Sequence, residues 1–173
     1  MTTLVWDEAP IAKRHDRAAF DCGEADPNLS LQKFARQNHE GGGAKCFVAA
    51  PADAPARVLG FYTLSPAWLD YARTPALAKR GLARYAAPVF RLGRLAVDKT
   101  AQGRGLGGAL LLRAAHRCIR VADDVGGVAL LIDAKNDRAA RWYQSYGALI
   151  LDDAPLSLVL PLAVAADAIK RGL

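Results

Sequence analysis

Pro88 to Gly108 reads P-V-F-R-L-G-R-L-A-V-D-K-T-A-Q-G-R-G-L-G-G, and the fold follows from this stretch. Val89, Phe90, Leu92, Leu95 and Val97 are β-branched, aromatic or aliphatic and are interrupted by no helix cap, which predicts a strand. Gly103, Gly105, Gly107 and Gly108 then crowd together and open directly into an apolar helical pattern. The first N–H groups of a helix lack intrahelical partners, and the aligned peptide dipoles draw negative charge to them. Glycines let several such groups converge on one anion, and Arg104 adds a charged donor. Strand, glycine-rich turn and helix N-terminus together predict a phosphate site.

Downstream, Leu106, Ala109, Leu110, Ala114, Cys118 and Val121 recur at steps of three and four, the spacing of a helix with one buried face, which Gly126 and Gly127 end. Val128–Ile132 is a wholly apolar strand, expected to run parallel to the strand before the helix. A second helix is predicted from Asn136, as its cap, to Tyr146, stopped by Gly147. Leu149–Leu151 and Leu156–Leu160 read as closing strands, followed by a terminal helix. Upstream, Leu4–Trp6 is a strand candidate, and Asp26, Pro27 and Asn28 start a short amphipathic helix that Gly41–Gly43 terminates. Cys46–Ala50 and Val58–Leu64 form a hairpin around P-A-D-A-P. Ser65–Ala87 reads as a helix-containing surface excursion.

The 173 residues suit a single domain spanning 1–173. A formal net charge of +6 favours an anionic partner without selecting among nucleic acid, nucleotide and acidic protein. Three cysteines without a C-x-x-C pattern argue against a disulfide framework, and isolated histidines give no metal site. The chain shows no signal peptide and no apolar run long enough to span a membrane, so the expected location is the cytoplasm.

Two phosphate ligands fit the glycines. Gly103, Gly105 and Gly108 match G-x-G-x-x-G, with Asp133 placed like the ribose-binding acid of a dinucleotide fold. Against this, D-K-T-A-Q separates Val97 from the glycines, and the motif lies too late for a second nucleotide-binding half. The alternative template, [QR]-x-x-G-x-[GA], matches Gln102, Gly105 and Gly107. With L-A-V-D before it and W-Y-Q-S-Y-G-A after it, the chain resembles the GNAT acetyltransferases.

That resemblance implies an α/β GNAT fold, a mixed central sheet with a splayed central strand pair flanked by helices. It also implies acetyl-CoA as acetyl donor and no metal. Main-chain N–H groups of Gly103, Arg104, Gly105, Gly107 and Gly108, together with Gln102, would hold the pyrophosphate. Leu95, Ala96 and Val97 would hydrogen-bond pantetheine, and Asn136 would be either a cofactor contact or only a helix cap. Tyr143 matches the tyrosine that faces the thioester sulfur, and Ala148 departs from the family's usual aromatic.

A narrower resemblance covers nearly the whole chain to Ala148. F-D-C-G, A-R-Q-N, V-L-G-F-Y-T-L, R-L-G-R-L-A-V-D and A-A-R-W-Y-Q-S-Y-G are similar to the acetyltransferase toxins of bacterial toxin–antitoxin pairs. This implies acetylation of the α-amine of aminoacyl-tRNA, arrest of translation, a ribbon-helix-helix antitoxin and a homodimer. The residues agree on one independent point. No convincing base is found in the matched motifs, with Glu24, Asp26 and Asp70 left as candidates outside them; a lysine amine is neutral in only about one molecule in 2,500 at pH 7, whereas an α-amine near pKa 8 is neutral in about a tenth. Lys33, Arg36, Arg73, Lys79, Arg80, Arg84, Arg91 and Arg94 are the candidates for an RNA path. Two rival readings are a GNAT acting on a small amine or protein N-terminus, and a catalytically silent acetyl-CoA-binding or DNA-regulatory partner.

Overall fold

A computed structural model describes residues 3–75 and 86–172. Its strands are β1 (Trp6–Pro10), β2 (Lys45–Pro51), β3 (Gly60–Leu69), β4 (Ala87–Val97), β5 (Ala129–Asp133), β6 (Leu149–Leu151) and β7 (Ala154–Pro161). They form a mixed seven-stranded sheet in the order β1-β2-β3-β4-β5-β7-β6. The helices are α1 (Ala25–Leu29), α2 (Ala35–Gly41), α3 (Leu106–Val125), α4 (Asp137–Gln144) and α5 (Leu162–Lys170). The chain divides into two compact units, Met1–Ser65 with Gly93–Leu111, and Pro66–Leu92 with Leu112–Leu173.

In the first unit β1, β2 and the start of β3 are antiparallel, with Trp6 opposite Pro51 and Lys45 opposite Leu64. The predicted hairpin is therefore present. The first strand lies later than Leu4–Trp6 because β1 is an edge strand, where the polar pair Asp7–Glu8 and a closing Pro10 are tolerated. Ile11, Phe20, Leu31, Val48, Val58 and Phe61 form the core, and Phe20 meets Phe61 edge-on with centroids 5.4 Å apart. Gly60 permits a close approach, since a Cβ there would stand 2.8 Å from Leu110 Cδ1 and 3.0 Å from the Ala96 carbonyl.

The predicted amphipathic helix is real but not uniform. A π-helical turn, Ser30–Phe34, sits between α1 and α2, and Gly42, at φ 79°, ends the segment in the left-handed conformation.

In the second unit β4 runs parallel to β5 from Val89 opposite Ala129 to Leu92 opposite Ile132, as the apolar run predicts. β5 pairs antiparallel with β7, and β7 with β6. Residues 129–132 are all buried, which explains their unbroken apolar character. Leu69, Val89, Leu131, Leu151 and Val159 share one core cluster.

Two expectations need correction. The stretch after Leu64 is not a helical excursion at its start: β3 continues through Pro66 to Leu69, and only Tyr71–Arg73 forms a short 3-10 turn. Lys79, Arg80 and Arg84 lie outside the described residues. On α3 the buried stripe is Leu106, Leu110, Leu111, Ala114, Ala115 and Cys118; Val121, expected to belong to it, is exposed.

Candidate active site

β4 reaches five residues past its ladder with β5, from Leu92 to Val97, and carries Leu95, Ala96 and Val97 in that extension. Asp98 then opens a tight turn. Its carboxylate accepts from the Asp21 amide (2.9 Å), from the Thr100 amide (2.9 Å) and from the Thr100 hydroxyl (2.7 Å). Burial by itself would raise the Asp98 carboxyl, but these hydrogen bonds and the Arg57 charge hold it below the usual carboxylate range. Asp21 is held at about 2 by the Asn28 amide, the Gly23 N–H and Lys99, whose ammonium stands 3.1 Å away.

Gln102 belongs to the same buttress. Its amide nitrogen donates to the carbonyls of Cys22 (2.9 Å) and Val97 (2.8 Å), so its side chain shapes the loop and ties it to F-D-C-G. Sequence reasoning placed Gln102 among phosphate ligands and missed Asp21, Asp98 and Asn28; the D-x-T spacing of an Asx turn was the available signal.

The loop itself has the geometry an anion needs. Gly103 and Gly105 adopt φ of 75° and 81°, and a Cβ at either would meet nothing within 4 Å. The Ala109 amide bonds the Gly105 carbonyl at 3.1 Å, closing the first turn of α3. The amides of Gly105, Leu106, Gly107 and Gly108 are therefore the unpaired first donors of a 20-residue helix. Open space, left-handed glycines and these donors fit a pyrophosphate.

Because Asp98 and Asp21 are held low, their contribution to stability is full above about pH 4 and is lost as pH falls through their folded values. Asp98→Ala, which strands the Asp21 and Thr100 amides, is expected to cost about 2–4 kcal/mol in urea unfolding at pH 7 and to flatten the acid limb of stability.

In the second unit, Asn136 caps α4: its side-chain oxygen accepts from the Ala139 amide at 2.8 Å. Tyr143, on the buried face of the same helix, packs edge-on against Trp142 with centroids 4.9 Å apart. Burial pushes its phenol up to about 12. Its hydroxyl makes no hydrogen bond to a described residue. Asp133, which a dinucleotide site would need for ribose, is engaged by Arg91 (2.6 Å) and Ser157 (2.9 Å).

The RNA-path candidates carry carboxylate partners wherever arginines among them are described. Arg36 pairs with Glu40 (3.6 Å), Arg73 with Asp153 (2.7 Å), Arg91 with Asp133 (2.6 Å) and Arg94 with Asp26 (3.0 Å). These pairs are half-buried to exposed and are worth about 0–1 kcal/mol each. Lys33 is exposed on the π-helical turn. Cys46 and Cys118 are buried thiols pushed to about 12, and therefore inert. No metal-binding cluster occurs among the described residues, and no described helix is long and apolar enough to cross a membrane.

Residues 42–147 match the Acetyltransferase (GNAT) domain family. A tRNA-acetylating toxin of Mycobacterium tuberculosis (strain ATCC 25618 / H37Rv) is 38% identical over 150 residues, covering 87% of this chain and 88% of the relative. AtaT complexed with acetyl-methionyl-tRNAfMet superposes with a TM-score of 0.85 at 26% identity, covering 95% of this chain and 97% of AtaT. AtaTR bound with AcCoA gives 0.82 at 26% identity, over 95% and 98% of the two chains. A tyrosine-to-phenylalanine AtaT mutant toxin bound to the C-terminus of the antitoxin AtaR gives 0.81 at 25%, over 94% and 97%. The sheet order, the loop that opens α3 and these matches over most of the chain carry one conclusion: the protein belongs to the GNAT acetyltransferase family.

Proposed function

We propose that this protein is an acetyl-CoA-dependent toxin that acetylates the α-amino group of aminoacyl-tRNA and so blocks translation. The single observation that carries the reading is the 38% identity, over most of both chains, to a tRNA-acetylating toxin. The phosphate loop, the absence of a base from the matched motifs and the net charge of +6 agree with it.

Acetyl-CoA supplies the activated acetyl group as a thioester. The amides of Gly103, Arg104, Gly105, Gly107 and Gly108 hold its phosphates at the N-terminus of α3. Leu95, Ala96 and Val97 align pantetheine, with the Val97 amide as donor to the developing oxyanion. Asn136, whose cap uses only its side-chain oxygen, keeps an amide nitrogen for the cofactor. Tyr143 gives a proton to the departing thiolate. The acceptor amine, partly neutral near pH 8, attacks the thioester carbonyl as the C–S bond breaks, and the proton its nitrogen loses passes to solvent, which reprotonates Tyr143. Lys33, Arg36, Arg91 and Arg94, with Arg80 and Arg84, lead the acceptor stem to the site.

The protein works as one catalytic domain in the cytoplasm, where charged tRNA is found. A ribbon-helix-helix antitoxin restrains it, and it acts as a homodimer. The test is transfer of labelled acetyl from acetyl-CoA to charged tRNA. Label is expected on aminoacyl-tRNA and not on uncharged tRNA; label on free amines only would support the rival acceptor.

A further inference from the structure

A cluster of positive charge in the first unit lies outside the RNA path described above. Lys13, Arg14 and Arg17 follow β1, and Arg57 stands in the connection between β2 and β3. Lys13, Arg14 and Arg57 are exposed, and Arg17 is half-buried. None of the four forms an ion pair with a described residue, whereas Arg36, Arg91 and Arg94 of the path each do. The acids in the same two loops, between Ile11 and Ala19 and between Ala52 and Leu59, are Asp16 and Asp53. The Asp16 carboxylate accepts from the Ala19 amide at 3.2 Å. The two loops are therefore left with an excess of fixed positive charge.

The backbone that carries these cations is held in place. The His15 amide donates to the Ala12 carbonyl at 3.1 Å and closes a turn with Lys13 and Arg14 at its two corners. The His15 imidazole, only 3% exposed, locks that turn, because its Nδ1 accepts from the Ala12 amide at 2.9 Å. Burial and then the Arg14 charge hold the imidazole below its usual range, which keeps Nδ1 an acceptor. A second tie joins the loops: the Asp16 amide donates to the Ala56 carbonyl at 2.7 Å, and Asp16 and Arg57 form a parallel bridge. Arg57 spends one N–H on the Thr100 hydroxyl, at 2.7 Å, and a guanidinium has five to offer. Cations on a backbone fixed this way lose little freedom when they bind.

Resting on the toxin reading above, we propose that the patch formed by Lys13, Arg14, Arg17 and Arg57 binds the sugar–phosphate backbone of the tRNA and anchors it without touching the reacting groups. A single phosphate of acetyl-CoA needs one or two cations; four, spread over two loops, match a row of phosphates. Such contacts hold the RNA equally in the ground state and the transition state, so they set KM and its dependence on salt and leave kcat alone.

The experiment combines Lys13→Gln with Arg14→Gln, two exposed turn positions remote in sequence from the loop glycines and Tyr143. Acetyl transfer to one charged tRNA is measured across a salt series, with direct binding of the same tRNA uncharged. At about 0.1 M salt the double variant should raise KM and the RNA Kd about tenfold, and the slope of log Kd against log salt should fall by about two. Both kcat and the acetyl-CoA Kd should stay within about twofold of wild type. Lys13→Arg with Arg14→Lys, which keeps both charges, should restore RNA binding. An RNA Kd and salt slope unmoved by the double variant would overturn the inference, whether or not binding of a purified antitoxin is weakened. A raised acetyl-CoA Kd with unchanged RNA binding would assign the patch to the cofactor and overturn it as well. If the wild type transfers acetyl to no charged tRNA, yet binds RNA through Lys13 and Arg14, the toxin reading falls and this surface stands.

Discussion

Tyr143→Phe is expected to lower kcat by about 100-fold or more, the usual worth of a positioned general acid, with acetyl-CoA affinity changed less than about twofold. The substitution removes one oxygen and keeps the ring that packs on Trp142. With the phenol at about 12 and a thiol reference near 8.5, full proton transfer is uphill by about 5 kcal/mol before the C–S bond breaks, against about 2 for an unperturbed tyrosine. The same dry surroundings raise the departing thiolate as well, so the gap narrows as negative charge gathers on sulfur. The proton moves late, after a hydrogen bond has formed. The pH profile follows: activity should rise with deprotonation of the acceptor amine near pH 8 and show no descending limb from tyrosine ionisation below about pH 11. A variant within threefold of wild-type turnover would remove Tyr143 from the mechanism.

The second large effect belongs to the loop. Gly105→Val forces a β-branched residue to φ 81°, at a backbone cost of about 1–2 kcal/mol. Nothing lies within 4 Å of the new Cβ, so no clash adds to that cost. Binding should suffer more than folding, because turning or shielding one or two phosphate donors forfeits charge-assisted bonds of about 1.5–3 kcal/mol each. The expected result is an acetyl-CoA Kd raised about 30-fold by calorimetry. Gly42→Val supplies the control. It has nearly the same φ, 79°, and open space as well, but it ends α2. It should lose similar stability and keep wild-type affinity; equal losses of affinity in both would show that the loop's role is structural.

Much of this was legible in local pattern. The β4 run, the glycines and the three-and-four spacing of α3 each state a local preference, and the structure keeps them except at Val121, which is exposed. Other features depend on partners distant in sequence. Pro66 reads as a breaker until β3 is seen to run through it. Gln102 matches a phosphate motif, yet its side chain is held by Cys22 and Val97. Arg91 and Arg94 look like open cations in sequence, while Asp133 and Asp26 neutralise them across the fold. The π-helical turn has no sequence mark, since Ser30–Phe34 continues an ordinary amphipathic pattern. Periodicity reports which face is buried; it does not report which carboxylate meets which arginine.

The central claim is that the acetyl group ends on the α-nitrogen of an amino acid esterified to tRNA. Purified protein, labelled acetyl-CoA and a charged tRNA should therefore yield label that travels with the RNA and is released by mild alkali as an N-acetylated amino acid. Label that stays on the RNA after the ester is cleaved, or that never joins it while free amines become acetylated, would contradict the account.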